Sequence, residues 1–126
     1  MAQSKAYNDV ALARTRMIVG NPFWGTLALN LEVIEVDEKH PQIQTMATDG
    51  VRMYFNPKFV AQLDEEELKG VVAHETEHCA LKHMTRRGHR DHYRYNIAAD
   101  FRINYDLIEA GFKLPGKPCS IAFMVL

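Results

Sequence analysis

Apolar residues recur along this chain with two different periods, and the changes of period divide it into elements. From Ala6 to Val19 they return every three or four positions. Tyr7, Val10, Ala11, Met17 and Ile18 share one side of a helix, and Arg14 is the polar member of that stripe. Gly20, Asn21 and Pro22 stop the helix. Leu27, Leu29, Leu31 and Val33 then alternate with Ala28, Asn30 and Glu32, the period of a half-buried strand. The phase slips at Val33-Ile34, which marks a bulge or the strand's end. A second strand is expected over 43–48 and a third over 51–55. Asp49-Gly50 between them is a hairpin signal, because a tight primed turn needs positive φ at its centre. Asn56-Pro57 reads as the cap and first residue of a short helical turn.

The period then returns to that of a helix. Asp64 with Glu67 three residues on forms a capping box, and the helix is expected from about Glu65 to Arg87, closed by Gly88. A last helix is expected from about Arg94 to Ala110, with Ile97, Phe101, Tyr105 and Ile108 as its apolar stripe and Gly111 as its end. Helix, strands and two further helices make an α+β pattern with a small antiparallel or mixed sheet.

Composition narrows the class. Of 126 residues 47% are hydrophobic and 25% charged, an ordinary globular balance that excludes disordered, collagenous and coiled-coil chains. One domain is expected over residues 1–126, long enough to bury a core without disulfides or a structural metal. A net charge of -1 gives no global pull toward nucleic acid or an anionic membrane. The N-terminus has no apolar run of secretory type and no segment nears the ~20 apolar residues of a membrane span. With Cys79 and Cys119 far apart, these features lead to the expectation of a cytoplasmic protein with free thiols.

Candidate chemistry sits on the first long helix, in His74-Glu75-Thr76-Glu77-His78. Histidines four apart differ by about 40° around a helix, so both imidazoles project from one face. Two such nitrogens can bind one tetrahedral Zn²⁺, and Glu75 beside them can reach a zinc-activated water without being a ligand. With six His and nine Glu in the chain, chance yields roughly 0.02 matches to this motif. The plainer reading is a pair of hydrogen-bonded core histidines, which would need other polar partners in so apolar a setting. Cys79 lies about 100° from His78 around the helix and reads as a small core residue.

A catalytic zinc takes three protein ligands and leaves a position for water. Asp100 is the preferred third, between Ala98-Ala99 and the apolar stripe, where Asn96, Asp100 and Asn104 form a polar edge. Asn96 or Asn104 could supply a hydrogen bond that orients a ligand, and a surface salt bridge of Asp100 to Arg94 or Arg102 is the alternative. His83, five residues after His78, falls about 140° round the helix and can ligate only if the helix breaks. Arg86-Arg87-Gly88-His89-Arg90-Asp91-His92-Tyr93-Arg94 is locally basic and reads first as a solvated loop, second as a contact for an acidic partner. His83, His89, His92, Tyr93 and Tyr95 are further candidates for an oxyanion-stabilising role.

Five stretches, taken together, resemble a known family. They are Asn21-Pro22-Phe23-Trp24-Gly25, then Thr48-Asp49-Gly50 with Tyr54-Phe55-Asn56-Pro57, then Val72 through His83. Asn96 through Asn104 and Gly111-Phe112-Lys113-Leu114-Pro115 complete the set. From about Ala11 to Pro115 the chain resembles the bacterial and phage putative metallopeptidase domain that usually precedes a von Willebrand factor A-like domain. The resemblance implies a zincin-type fold, zinc at His74 and His78, Glu75 as catalytic base and Asp100 as third ligand. His83 also matches a position of the pattern. Relatives continue further, so truncation at the C-terminus is an open expectation. The expected function is zinc-dependent hydrolysis of peptide bonds in a protein or peptide substrate, bound along the edge of the hairpin 43–55 by strand addition. The alternative is a non-catalytic zinc-binding module for a partner protein or, through the basic stretch, nucleic acid.

Overall fold

The computed structural model describes residues 4–80, 92–113 and 124–125, with side chains described over 4–80 and 101–113. Helix α1 spans Lys5–Gly20 and is capped by Ser4, whose hydroxyl accepts from the Tyr7 amide. Its buried face is Val10, Ala13 and Met17. Arg14, the polar member of the stripe, turns its guanidinium to the carbonyls of Ala28 and Leu31, at 3.4 and 3.0 Å. It thereby satisfies acceptors at the end of the next helix.

That next helix replaces the strand expected over 27–33. Helix α2 is Pro22–Leu29, and the first strand, β1, is Glu32–Glu35. The four alternating apolar residues mimic a strand, but two stronger effects prevail. Pro22 stands at the first helical position, where its ring presets φ. Gly25 and Ala28, three apart, are the buried residues of α2, and they let it lie directly on α1. A Cβ on Gly25 would stand 2.5 Å from the Ile18 nitrogen and 2.6 Å from the Met17 carbonyl carbon.

Strand β2 is Met46–Thr48 and β3 is Arg52–Phe55. They pair antiparallel, with Thr48 opposite Met53, so the expected hairpin forms. Its turn is centred one residue later than the Asp-Gly signal implies: Asp49 faces Arg52 across Gly50 and Val51, and Gly50 carries the positive φ of 96°. Asp49 instead accepts the amides of Val51 and Arg52 on its carboxylate, at 2.9 and 2.7 Å. β1 adds parallel to β3, and β4, Met124–Val125, adds parallel to β2. The mixed sheet runs β1-β3-β2-β4. Neither hairpin strand is therefore at an edge among the described residues, which corrects the expectation of a hairpin edge open to substrate.

Asn56 caps the short helix α3, Pro57–Val60, as expected. Helix α4, Glu65–Ala80, is packed against α1, α2, β2 and the final helix α5, His92–Glu109. The expected continuation of α4 to Arg87 and its closure at Gly88 lie outside the described residues. So does most of the basic stretch, although its last positions, from His92, belong to α5.

The packing face of α5 departs from its apolar pattern. Ile103 and Leu107 are fully buried, while Phe101, Tyr105 and Ile108 are 71%, 66% and 63% exposed. These three members of the expected core stripe face solvent, the side chain of the fourth, Ile97, lies outside the described residues, and the helix turns inward the face that carries Ile103 and Leu107. One core joins the elements, with Met17, Met46, Met53, Phe55, Ile103 and Leu107 among its fully buried side chains. No helix among the described residues is long and apolar enough to cross a membrane.

Candidate metal centre

Helix α4 begins with the capping box its sequence announces. Asp64 accepts the Glu67 amide at 2.7 Å and Glu67 accepts the Asp64 amide at 3.1 Å. The Glu67 amide and the Lys113 ammonium, 2.9 Å away, hold the Asp64 carboxyl below its ordinary value. The same ion pair ties the chain just after α5 to the start of α4. Leu68, Val71 and Val72 then seat the helix in the core, and every residue from Gly70 to His78 is buried. A helix surrounded on all sides carries its polar residues inside, where each needs a partner.

His74 and His78 are fully buried, with ring centroids 4.8 Å apart and planes inclined by 58°. Their Nε2 atoms converge to 3.1 Å. Two nitrogens bound at 2.0–2.1 Å on a tetrahedral zinc would stand about 3.4 Å apart, so a small adjustment fits this pair to one ion. The other edge of the His74 ring is engaged as well, its Nδ1 lying 2.8 Å from Oδ1 of Asn104 on α5. Glu75, between the two histidines in sequence, is fully buried.

A second polar contact crosses from α4 to α5. Burial, then the charge of Asp106 and a hydrogen bond with it, push the Glu77 carboxyl up to about 7; Arg102 pulls the other way. A large share of Glu77 is therefore protonated at neutral pH and able to donate to the Asp106 carboxylate. Sequence reasoning passes over Glu77 and Asp106. The available signal is spacing on α4, where Glu77 follows His74 by three residues and so lies on a neighbouring part of the same face; the spacing of Asp106 from Asn104 gives none.

Cys79 is half-buried on the β2 side of α4, with its sulfur 2.9 Å from the Thr48 hydroxyl. That hydroxyl donates to the Arg52 carbonyl and accepts from the Gly50 amide, so the thiol is the donor toward Thr48. Burial, with the Glu75 charge adding to it, pushes the thiol above its ordinary value. In this arrangement the Cys79 thiol is protonated and packs against the hairpin through Thr48.

Of the sequence-derived site residues, the structure brings His74, Glu75 and His78 onto one buried stretch of α4. Asp100 is carried by α5, one turn before Asn104, with its side chain outside the described residues. His83 lies outside them entirely. Among the described residues no group of three or more His, Cys, Asp or Glu converges as a complete metal site. Asn104, one of two candidates for orienting a ligand, is in contact with His74, and the side chain of the other, Asn96, lies outside the described residues. A surface cleft lined by His40, Thr45, Asn56, Phe59 and Glu67 contains neither imidazole of the pair.

A family model described as a putative metallopeptidase domain matches residues 5–125, nearly the whole chain. Neither a curated protein nor a solved structure matches.

Proposed function

The chain belongs to the family described as the putative metallopeptidase domain, and from that membership we propose that it is a zinc-dependent peptidase. His74 and His78 hold the ion, Glu75 is the general base, and α4 is the active-site helix of a zincin-like fold. The observation that supports this best is the convergence of the two Nε2 atoms to 3.1 Å inside the protein, beside a buried glutamate. We take Asp100, from α5, as the third protein ligand, with His83 as the alternative. The substrate class is protein or peptide.

When bound, zinc supplies Lewis acidity, lowering the pKa of water to about 7 and polarising the scissile carbonyl. The chain's own residues do the rest. Glu75, adjacent to His74 on the helix, accepts the proton of the attacking water on its carboxylate and delivers it to the leaving amine nitrogen. Glu75 is itself fully buried, so its carboxylate is shielded from bulk water. Low local dielectric strengthens each charge interaction in the site.

Glu75→Gln tests the assignment, because it keeps shape and polarity and removes the base. The variant should bind one zinc per chain, read by metal analysis after dialysis. It should hydrolyse an unfolded protein substrate at least ~10²-fold more slowly than the parent, the usual share of a general base. Undiminished cleavage would overturn Glu75 as base. Zinc bound by the parent with no cleavage of any unfolded substrate would turn the reading to a non-catalytic zinc-binding module.

A further inference from the structure

Asn104 touches His74 from the opposite side to the convergence point. Oδ1 of Asn104 is 2.8 Å from Nδ1, and Nε2 of the same ring is 3.1 Å from Nε2 of His78. An amide oxygen can only accept. With Oδ1 presented to Nδ1, that nitrogen must carry the proton, so Nε2 of the neutral ring is the acceptor. The Nε2–Nε2 contact then has a single solution: His78 donates and His74 accepts. The tautomer of the first histidine is therefore written from another helix, thirty residues along the chain.

The placement of Asn104 is well supported. It sits between Ile103 and Leu107, the two fully buried residues of the α5 face that packs on α4. Its backbone is consequently fixed by packing on the same helix it serves. The residue type matters too. A carboxylate would accept the same hydrogen bond, but it would place a charge in a buried region that already holds Glu75, and burying a charge is costly. A neutral acceptor orients the ring without adding charge.

We propose that Asn104 is a positioning residue: its amide oxygen holds His74 in the Nδ1–H tautomer, so that the Nε2 lone pair faces the metal position before any ion arrives. The benefit for metal binding rests on the zinc reading above, whereas the tautomer does not.

Two measurements on the full chain test it. The first is a long-range ¹H–¹⁵N spectrum of the metal-free protein at alkaline pH, which distinguishes a protonated from an unprotonated nitrogen in each ring. His74 should show Nδ1–H and an unprotonated Nε2; the reverse tautomer in the parent protein overturns the proposal. The second is zinc competition against a chromophoric chelator for Asn104→Leu, which keeps the branched shape without an acceptor, and Asn104→Asp, which keeps the acceptor. Asn104→Leu should lose the tautomer preference and weaken zinc binding about 10–100-fold, as loss of a ligand's orienting partner generally does. Asn104→Asp should retain the Nδ1–H signature and bind within a few-fold of the parent or tighter. Unchanged tautomer and affinity in Asn104→Leu would overturn the assignment. Should Asn104→Leu not fold, the parent spectrum and the Asn104→Asp arm still decide. A protein that shows the Nδ1–H tautomer, loses it in Asn104→Leu and yet binds no zinc would sink the peptidase reading while leaving Asn104's role in place.

Discussion

Asp49 shows how one side chain can serve a turn that a dipeptide signal only half describes. Its carboxylate gathers the amides of Val51 and Arg52 and the Tyr54 hydroxyl at 3.1 Å. Partial burial raises the pKa of this group, but those hydrogen bonds and the Arg52 charge outweigh it, and the net position is below the ordinary value. The sign of the linkage follows. A carboxyl whose folded pKa lies below its unfolded one adds stability above the unfolded value, near pH 4, and loses it as pH falls through the folded pKa. The hairpin that carries Thr48 to Cys79 should therefore weaken below about pH 4. Asp49→Asn keeps one amide acceptor and removes the charge, so it should be less stable than the parent at pH 7 and should close on it as the pH is lowered toward about 2.5. Urea unfolding at the two pH values checks this; an equal gap at both would mean the charge contributes nothing.

At the scale of elements, the chain is legible where the decisive interactions are local. The capping box at Asp64 and Glu67, the Asn56-Pro57 start, the presence of α1 and the presence of the hairpin all depend on neighbours within a few residues, although α1 buries Ala13 and exposes Ile18 of the expected stripe. Two expectations fail because distant partners decide. Leu27, Leu29, Leu31 and Val33 alternate like a strand, yet Gly25 can lie directly on α1, and only a helix uses that contact. On α5 the most apolar stripe, with Phe101, Tyr105 and Ile108, has the pattern of a core face but is the exposed one. The reason lies on α4, whose buried His74 and Glu77 require polar partners. Asn104 and Asp106 supply them, and Ile103 and Leu107 fill the space beside them. The same logic explains the candidate site: the histidine pair lies within one turn and can be read directly, whereas the contact of Asn104 with His74 depends on how two helices meet. Substitutions can check the rotation of α5. Leu107→Ala should cost about 2–5 kcal/mol, the usual result of emptying a packed site. Phe101→Ser, on the exposed stripe, should stay within about 0.5 kcal/mol plus any small change in helix propensity. Chemical denaturation of both variants gives the answer, and a reversed order would mean that α5 packs by its apolar stripe after all.

For the molecule as a whole, the question is what a metal would contribute to the fold. The described core closes around α4 through aliphatic, methionine and aromatic side chains from both helices and sheet, contacts that need no ion to form. At 126 residues the chain can bury such a core unaided, unlike domains below about 40 residues that fold only around a metal. A metal at His74 and His78 would instead add stability by mass action, as any ligand of the native state does. Metal-free protein prepared with a chelator should therefore keep its far-ultraviolet helical signal and unfold in one cooperative step. Zinc at a hundred times its dissociation constant should add about 2.7 kcal/mol, roughly a 10 °C rise in Tm for a domain of this length. Glu75→Gln should show the same rise, because it leaves both imidazoles in place, and His78→Ala should lose most of it. This set of outcomes separates an ion held for chemistry from one held for folding. Collapse of the helical signal on chelation would identify a structural staple, and an equal rise in His78→Ala would put the zinc elsewhere on the protein.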